Sequence, residues 1–317
     1  MDANKKPESL QEAIIYFADP WNCLNYLVAR RWPNGVVCPT CGSTAVGFLK
    51  NQLRWQCSER HPRRQFSVKV GTIFEDSPIG LDKWLAAMWM ILNCKNGVSS
   101  CEIHRALGVT QKTAWFMLHR IRLAQQGQDG GKLSGEVEID ETFIGAKSRN
   151  MHKDKRARVI TGTGGKDKEI VMGMLERGGK VRVRHVKNRR KAELQKQVRE
   201  HVEVGAAIFT DELLSYDGLS GDYKHAVINH AVQYADGNVH TNGMENFWSL
   251  LKCGLHGTYI SVEPFHLFRY IDEQAFRFNN RKMTDAERFD IGVRQIMGKR
   301  LTYAELTGKS SETETIN

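Results

Sequence analysis

Long apolar runs are missing from this chain. None reaches the ~18 residues that a helix needs to cross a bilayer, which excludes a helical membrane span. The first residues, Met1-Asp2-Ala3-Asn4-Lys5-Lys6-Pro7-Glu8, lack the apolar core of a secretory signal, so a cytoplasmic location is expected. Cysteine is sparse and odd in number, at seven, which argues against a disulfide framework. Cys23, Cys94, Cys101 and Cys253 are scattered through apolar or helical stretches and read as ordinary buried thiols. No Ser or Tyr is singled out by spacing as a nucleophile. Acidic residues are in deficit, with 36 Asp and Glu against 46 Lys and Arg, a formal net charge of +10. That excess is spread along the chain and fits a polyanionic partner, nucleic acid first, although basic globular proteins are also common. The 317 residues are enough for two to three domains with real cores.

Three acidic residues stand out among those present. Asp140 ends the alternating run Glu136-Val137-Glu138-Ile139, which reads as a strand. Asp211 follows Ala206-Ala207-Ile208-Phe209-Thr210, a continuous apolar run suited to a strand buried on both faces. Glu245 opens a helical stretch through His256, and Lys252 returns to nearly the same helix face about two turns later. Two strand-end carboxylates and one helix carboxylate can form an oxygen cage for Mg²⁺ or Mn²⁺. Two such ions about 4 Å apart can activate an attacking oxygen and stabilise a leaving oxygen at phosphorus. A competing reading of Asn242-Gly243-Met244-Glu245 is a helix cap, with the glutamate reaching back as in a capping box. Asp217, in Ser215-Tyr216-Asp217-Gly218, competes with Asp211 but reads as a turn.

Upstream, Cys38-Pro39-Thr40-Cys41-Gly42 is a zinc-knuckle half-site, two thiolates across a turn that the glycine closes. After a strand at Leu53-Arg54-Trp55-Gln56 come Cys57 and His61, which complete a Cys₃His set for one structural Zn²⁺; the alternative is a degenerate ribbon held by packing. Residues 65–74 are expected to finish this ribbon as a β-rich segment, and residues 8–31 and 81–124 read as helical. Within the latter, Leu107-Gly108-Val109 forms the turn of a helix-turn-helix, capped by Thr110. Gln111, Lys112 and Thr113 then begin the second helix, with Arg120 in its basic later part, as candidate DNA contacts. An ordinary helical hairpin is the plainer alternative. Residues 147–168 carry eight Lys and Arg against two Asp and read as a phosphate-contacting or merely solvated loop.

The phrases His240-Thr241-Asn242-Gly243-Met244-Glu245-Asn246-Phe247-Trp248-Ser249-Leu250-Leu251-Lys252, Gly257-Thr258-Tyr259 and Phe276-Arg277-Phe278-Asn279-Asn280-Arg281 resemble one family closely. It is the bacterial insertion-sequence DDE transposases with an N-terminal zinc ribbon, the ISXO-two-like group, and the resemblance runs from about residue 15 to residue 300. The family usually has a second Cys-x₂-Cys where this chain has Cys57 and His61. The resemblance implies an α+β multidomain chain in which a zinc ribbon and helix-turn-helix precede an RNase H-like α/β catalytic domain. It also implies that Asp140, Asp211 and Glu245 hold two Mg²⁺ (or Mn²⁺) ions, with Lys252 on DNA phosphate beside them. Expected partners are double-stranded DNA, as element ends and target, and at least one further copy of the chain. A bacterial cytoplasmic protein, nucleoid-associated when on DNA, follows from that reading. The expected boundaries are 1–78 for the first helix and ribbon, 79–126 for the helix-turn-helix and 127–134 for a glycine-rich linker. The catalytic domain takes 135–300 and a tail 301–317.

Overall fold

The computed structural model describes residues 6–127, 130–145, 152–154, 157, 168–228 and 240–309. The chain divides into two units, one reaching to Gln126 and resuming at Asn280, the other spanning Gly127–Asn279. In the first unit the helical periodicity resolves into α1 (Leu10–Phe17) and α2 (Pro20–Arg31). The break has a local cause: Asp19 accepts from the Trp21 amide at 2.8 Å, and Pro20 opens α2 where a missing N–H costs nothing. Three short antiparallel strands follow, β1 (Val46–Leu49), β2 (Arg54–Cys57) and β3 (Gln65–Phe66). The β-rich segment expected over residues 65–74 is therefore confined to its first two residues; turns held by Thr72 and Lys69 replace the rest.

The helical region expected over 81–124 is three helices, α3 (Leu81–Asn93), α4 (Ser100–Leu107) and α5 (Gln111–Gln125). A Ser99–Glu102 capping box starts α4, and Gly108 ends it in the left-handed conformation at φ 59°. Thr110 then caps α5 by accepting from the Thr113 amide at 3.1 Å.

The second unit is a five-stranded mixed sheet. Its strands are β4 (Glu136–Ile144), β5 (Glu169–Glu176), β6 (Val181–Val186), β7 (Ala207–Asp211) and β8 (Lys224–Ile228), in the order β6-β5-β4-β7-β8. The first three pair antiparallel, joined between β5 and β6 by the Glu176-Arg177-Gly178-Gly179 turn; β7 and β8 run parallel to β4. Between β6 and β7 lies α6 (Lys191–His201), and after β8 come α7 (Asn242–Cys253) and α8 (Leu267–Asn279). Strand alternation divides the core between two faces. Val137, Ile139, Met172 and Met174 pack with Leu194 and Val198 of α6. Val171, Leu175, Val181 and Val183 pack with Phe247, Trp248 and Leu251 of α7 and with Tyr270 and Ile271 of α8.

The expected span of 135–300 for this domain does not match the chain's division, because the next two helices belong to the first unit. These are α9 (Asp285–Arg294) and α10 (Tyr303–Thr307). Phe289 of α9 enters the aromatic cluster of Phe17, Tyr26 and Trp89, with ring centroids 5.8, 5.7 and 4.8 Å away. Gly292 lies where a Cβ would stand 2.4 Å from Leu92, so α9 rides directly on α3. Backbone bonds from Ile73 to Ile296 and from Gly298 to Gly71 close the same unit. Part of the expected tail is thus a packed helix; residues 310–317 lie outside the described residues. Phe289→Ala is expected to destabilise the first unit by about 3–5 kcal/mol, through lost transfer energy and an aromatic-sized cavity. Denaturant unfolding checks this, and a loss under 1 kcal/mol would deny Phe289 its place in that core.

Candidate active site and metal centre

Alternation along β4 determines where its acids go. Glu138 and Asp140 point to the α7 face, whereas Glu141 points to the α6 face and accepts from the Tyr216 hydroxyl. The parallel pairing of β4 with β7 aligns Glu138 with Phe209, so two residues onward Asp140 and Asp211 lie on one face of adjacent strands. Asp211 ends β7 as expected, but Asp140 sits midway along β4, which continues to Ile144 because Glu141–Ile144 stay paired with β5. Strands lie about 4.8 Å apart, which leaves the two carboxylates as neighbours. Burial holds the Asp140 carboxyl above its usual range, and the charges of Asp211 and Glu245 push the same way. Bonds from Trp248 Nε1 at 2.9 Å and from the Glu141 amide at 2.8 Å oppose that rise. Glu141 is pushed up to about 8 by burial and then by Asp211 and Asp140, against the pull of Arg189. The Asp211 carboxylate accepts from the Leu213 amide at 3.2 Å. Asp217 is exposed beyond a short 3₁₀ turn, and its charge is felt by His225.

Glu245 comes from α7. The capping-box alternative fails: Thr241 is the N-cap and makes no side-chain capping bond, and the Glu245 carboxylate is exposed. The Met244 amide is instead met by Glu138 Oε2 at 3.0 Å. What lets the helix come this close is Gly173, the β5 residue paired with Asp140. A Cβ there would stand 2.1 Å from Met244 Cε and 2.8 Å from the Trp248 ring. Lys252 is half-buried in the last turn of α7. Beyond it the expected continuous helix to His256 changes to a π-helical turn at Gly254–Tyr259. Glu141, Trp248 and Gly173 were not singled out from sequence. The only signal for Glu141 is a second acid beside Asp140; nothing in the sequence marks a tryptophan as a partner for a carboxylate.

The zinc donors meet closely. The ligand atoms of Cys38, Cys41, Cys57 and His61 all lie within 4.8 Å of one another, and among the described residues no other set of His, Cys and acids does so. Cys41 Sγ and Cys57 Sγ are 3.6 Å apart, and Cys38 Sγ and His61 Nε2 are 3.4 Å apart. A tetrahedron with Zn–S near 2.3 Å and Zn–N near 2.05 Å has edges of about 3.8 and 3.6 Å, so the donor set fits zinc. His61 Nδ1 bonds the Pro62 carbonyl at 2.7 Å, which leaves Nε2 as the donor toward the thiols. Gly42, at φ 74°, closes the turn with a 2.8 Å bond to the Cys38 carbonyl. Burial raises the Cys38 thiol, but backbone amides of Cys41 and Thr40 and the neighbouring thiols outweigh it, leaving it at about 7.

The proposed DNA contacts of α5 fare unequally. Gln111 and Lys112 are exposed; Gln111 bonds Ser100 Oγ at 2.8 Å, and the Lys112 ammonium lies 4.7 Å from the Tyr303 ring. Thr113 is half-buried, its hydroxyl 2.8 Å from that of Thr110. Arg120 is a correction. It is only 4 % exposed, donates to the Glu75 carbonyl and lies over Trp84 and Phe116, so it packs the unit instead of meeting a ligand. Arg122 is buried as well. Of the scattered cysteines Cys23 is buried, as expected, but Cys94, Cys101 and Cys253 are exposed. Most of the basic segment 147–168 lies outside the described residues, as does His230. His225 Nε2 is 2.8 Å from Thr210 Oγ1, a structural partner.

Two outcomes are expected. Purified wild type should carry a single zinc ion per chain, and His61→Ala or Cys57→Ser should lose at least about half of it by elemental analysis, since each removes a donor from a closed tetrahedral set. Full zinc in both variants would reject the assignment. Gly173→Ala should cost about 1–3 kcal/mol by overpacking and alter Trp248 fluorescence; an unchanged unfolding midpoint and spectrum would reject the close contact.

The chain matches the family described as ISXO2-like transposase domain over residues 132–279 and the transposase zinc-ribbon domain over residues 21–60. It is 27% identical over 249 residues to an uncharacterized protein in transposable element ISH50 of Halobacterium salinarum, covering 74% of this chain and 83% of that one. An uncharacterized transposase-like protein of Haemophilus influenzae is 32% identical over 99 residues, which is 31% of this chain and 80% of the relative. A chain of a simian T-cell lymphotropic virus intasome structure aligns at 12% identity over 58% of this chain and 66% of its own, with a TM-score of 0.27, too distant to support an argument. With both domain families matched in the order that the ribbon and the mixed sheet occupy, and with one relative from a transposable element and another named transposase-like, the chain belongs to the ISXO2-like transposases.

Proposed function

We propose that this protein binds the ends of an insertion sequence, cuts DNA there and joins the freed 3′ end to target DNA. The observation that carries the reading is the placement of Asp140, Asp211 and Glu245: the middle of β4, the end of the neighbouring β7 and the first turn of α7 bring the charges of Asp211 and Glu245 to bear on Asp140. The strand order, three antiparallel strands followed by two parallel ones with helices on both faces, supports an RNase H-like domain. Hard carboxylate oxygens whose like charges are felt at one another are the donor type that Mg²⁺ or Mn²⁺ takes, and Asp140, Asp211 and Glu245 would hold such ions. When bound, divalent cations supply activation of the attacking oxygen and charge relief at the leaving oxygen.

The protein's own part is positional. Asp140 is oriented by Trp248 and the Glu141 amide, Asp211 by the Leu213 amide, and Glu245 by the helix on which it sits. Lys252, on the same helix, would hold a phosphate next to the acids. Water attacks the phosphodiester in the first step and the 3′-OH attacks in the second, with no covalent protein–DNA intermediate. The zinc ribbon and the α4–α5 pair would recognise element ends, with Gln111 and Lys112 as the exposed candidates on α5 and Thr113 beside them. Joining two ends calls for a dimer or higher assembly on DNA.

The test places the element's terminal repeats around a marker and measures integration in cells. Asp211→Asn keeps size and removes the metal-binding charge, and should reduce integration below about 1% of wild type, a loss of several kcal/mol of transition-state stabilisation. Equal integration by both proteins would remove Asp211 from the site. Cutting without joining would mark a nuclease. Bound ends with neither cutting nor joining would mark a DNA-binding regulator.

A further inference from the structure

Glu138 is a carboxylate with no role in the reaction just described, yet it is 1 % exposed. A charge so deep is costly unless it is bonded on several sides. Its Oε2 accepts from the Met244 amide at 3.0 Å, one residue before Glu245. Its Oε1 accepts from Arg177 Nε at 3.0 Å and lies 3.3 Å from His240 Nδ1. Arg177 also donates to the His240 carbonyl at 2.8 Å and pairs with Glu136 at 3.1 Å, and its guanidinium lies 4.1 Å from the Phe209 ring. The cluster therefore joins β4, the β5–β6 turn, β7 and the residue leading into α7.

We propose that Glu138 is a positioning residue for Glu245, acting through the first turn of α7; the inference rests on the reading of Glu245 as a metal-holding carboxylate. Two ties fasten α7 to one strand. Glu138 takes the Met244 amide, and Asp140, two residues on, takes the Trp248 indole. Four residues of helix rise about 6 Å and two residues of strand about 6.7 Å, so the ties are commensurate, and Glu245 lies between them. The N-cap Thr241 makes no side-chain capping bond, and the Met244 amide is met by Glu138 instead. The helix side is shaped for it: a Cβ at Gly243 would stand 2.7 Å from Glu138 Oε2 and 2.5 Å from Leu175. One strand thus holds Asp140 directly and Glu245 through Glu138.

The test compares full-length wild type, Glu138→Gln, Glu136→Gln and Asp211→Asn. Glu136→Gln is the control, since it removes a partner of Arg177 without touching α7. Two readouts are taken: hydrogen–deuterium exchange over residues 242–248, and Mn²⁺ binding followed by the free-ion electron paramagnetic resonance signal. Glu138→Gln is expected to speed exchange in that segment at least about tenfold and to weaken Mn²⁺ binding at least about threefold, while Glu136→Gln stays within about twofold on both. Unchanged exchange in Glu138→Gln overturns the tie. Faster exchange with unchanged Mn²⁺ binding overturns the positioning role and leaves a structural one. Equal effects from both glutamine variants assign the result to Arg177 instead. If Glu138→Gln does not fold, Gly243→Ala, which crowds Glu138 from the helix side with its charge retained, is held to the same thresholds. Equal Mn²⁺ binding by wild type and Asp211→Asn sinks the metal reading itself and takes the positioning role with it. With that difference intact, Glu138 is judged on its own.

Discussion

The close seating of α7 on the sheet is the contact on which the rest of the second unit depends. Asp140 and Asp211 reach one face through strand pairing alone, but Glu245 arrives on a separate element, more than thirty residues later in the chain. The helix must lie nearly in contact with the β5 backbone, and Gly173 leaves the space for Met244 and Trp248 to do so. Trp248 then closes the gap chemically, because its indole N–H ends on the same Asp140 whose charge it shares the site with. A side chain at residue 173 would lift the helix and with it the third carboxylate.

A different economy governs the first unit. Its sheet has strands of four, four and two residues, too little pairing to hold a fold unaided. Trp32, Trp55 and Phe66 supply a small aromatic core with ring centroids 5.5 to 6.2 Å apart, and four soft donors stand ready to close the loops around one ion. The helical part is completed by segments from the far end of the sequence, where α9 inserts Phe289 among aromatic rings of α1, α2 and α3. Burial of Arg120 belongs to the same design. Its long side chain covers Trp84 and Phe116 and spends its charge on a carbonyl, so a basic residue in a helix is no guide to a nucleic-acid face unless its exposure is known.

Much of this was legible before any coordinates. Asp140 and Asp211 could be read as strand residues because alternating and continuous apolar runs precede them, although β4 runs on past Asp140 to Ile144. Cys38, Cys41, Cys57 and His61 could be read as a donor set because soft ligands pair at short spacing. The helix of Glu245 was equally open to view. Other features were not. Arg120 looked like a DNA contact, Cys94, Cys101 and Cys253 looked like buried thiols, residues 280–300 looked like the end of the catalytic domain, and residues 301–309 looked like part of a tail. In each case the missing information was what packs against the residue from elsewhere in the chain.

The sequence by itself determined the chemistry on offer: which residues are acids, which are soft donors, and which periodicity puts them on strands or helices. Those are local properties, decided within a few residues by side-chain type and backbone preference. Only the tertiary structure decided that Glu245 is not spent as a cap, that Glu138 supplies the bond a cap would have made, and that Glu141 turns away from Asp140 toward Tyr216. These outcomes depend on strand register and on the distance between a helix and a sheet, both of which are set by contacts between residues far apart in the chain.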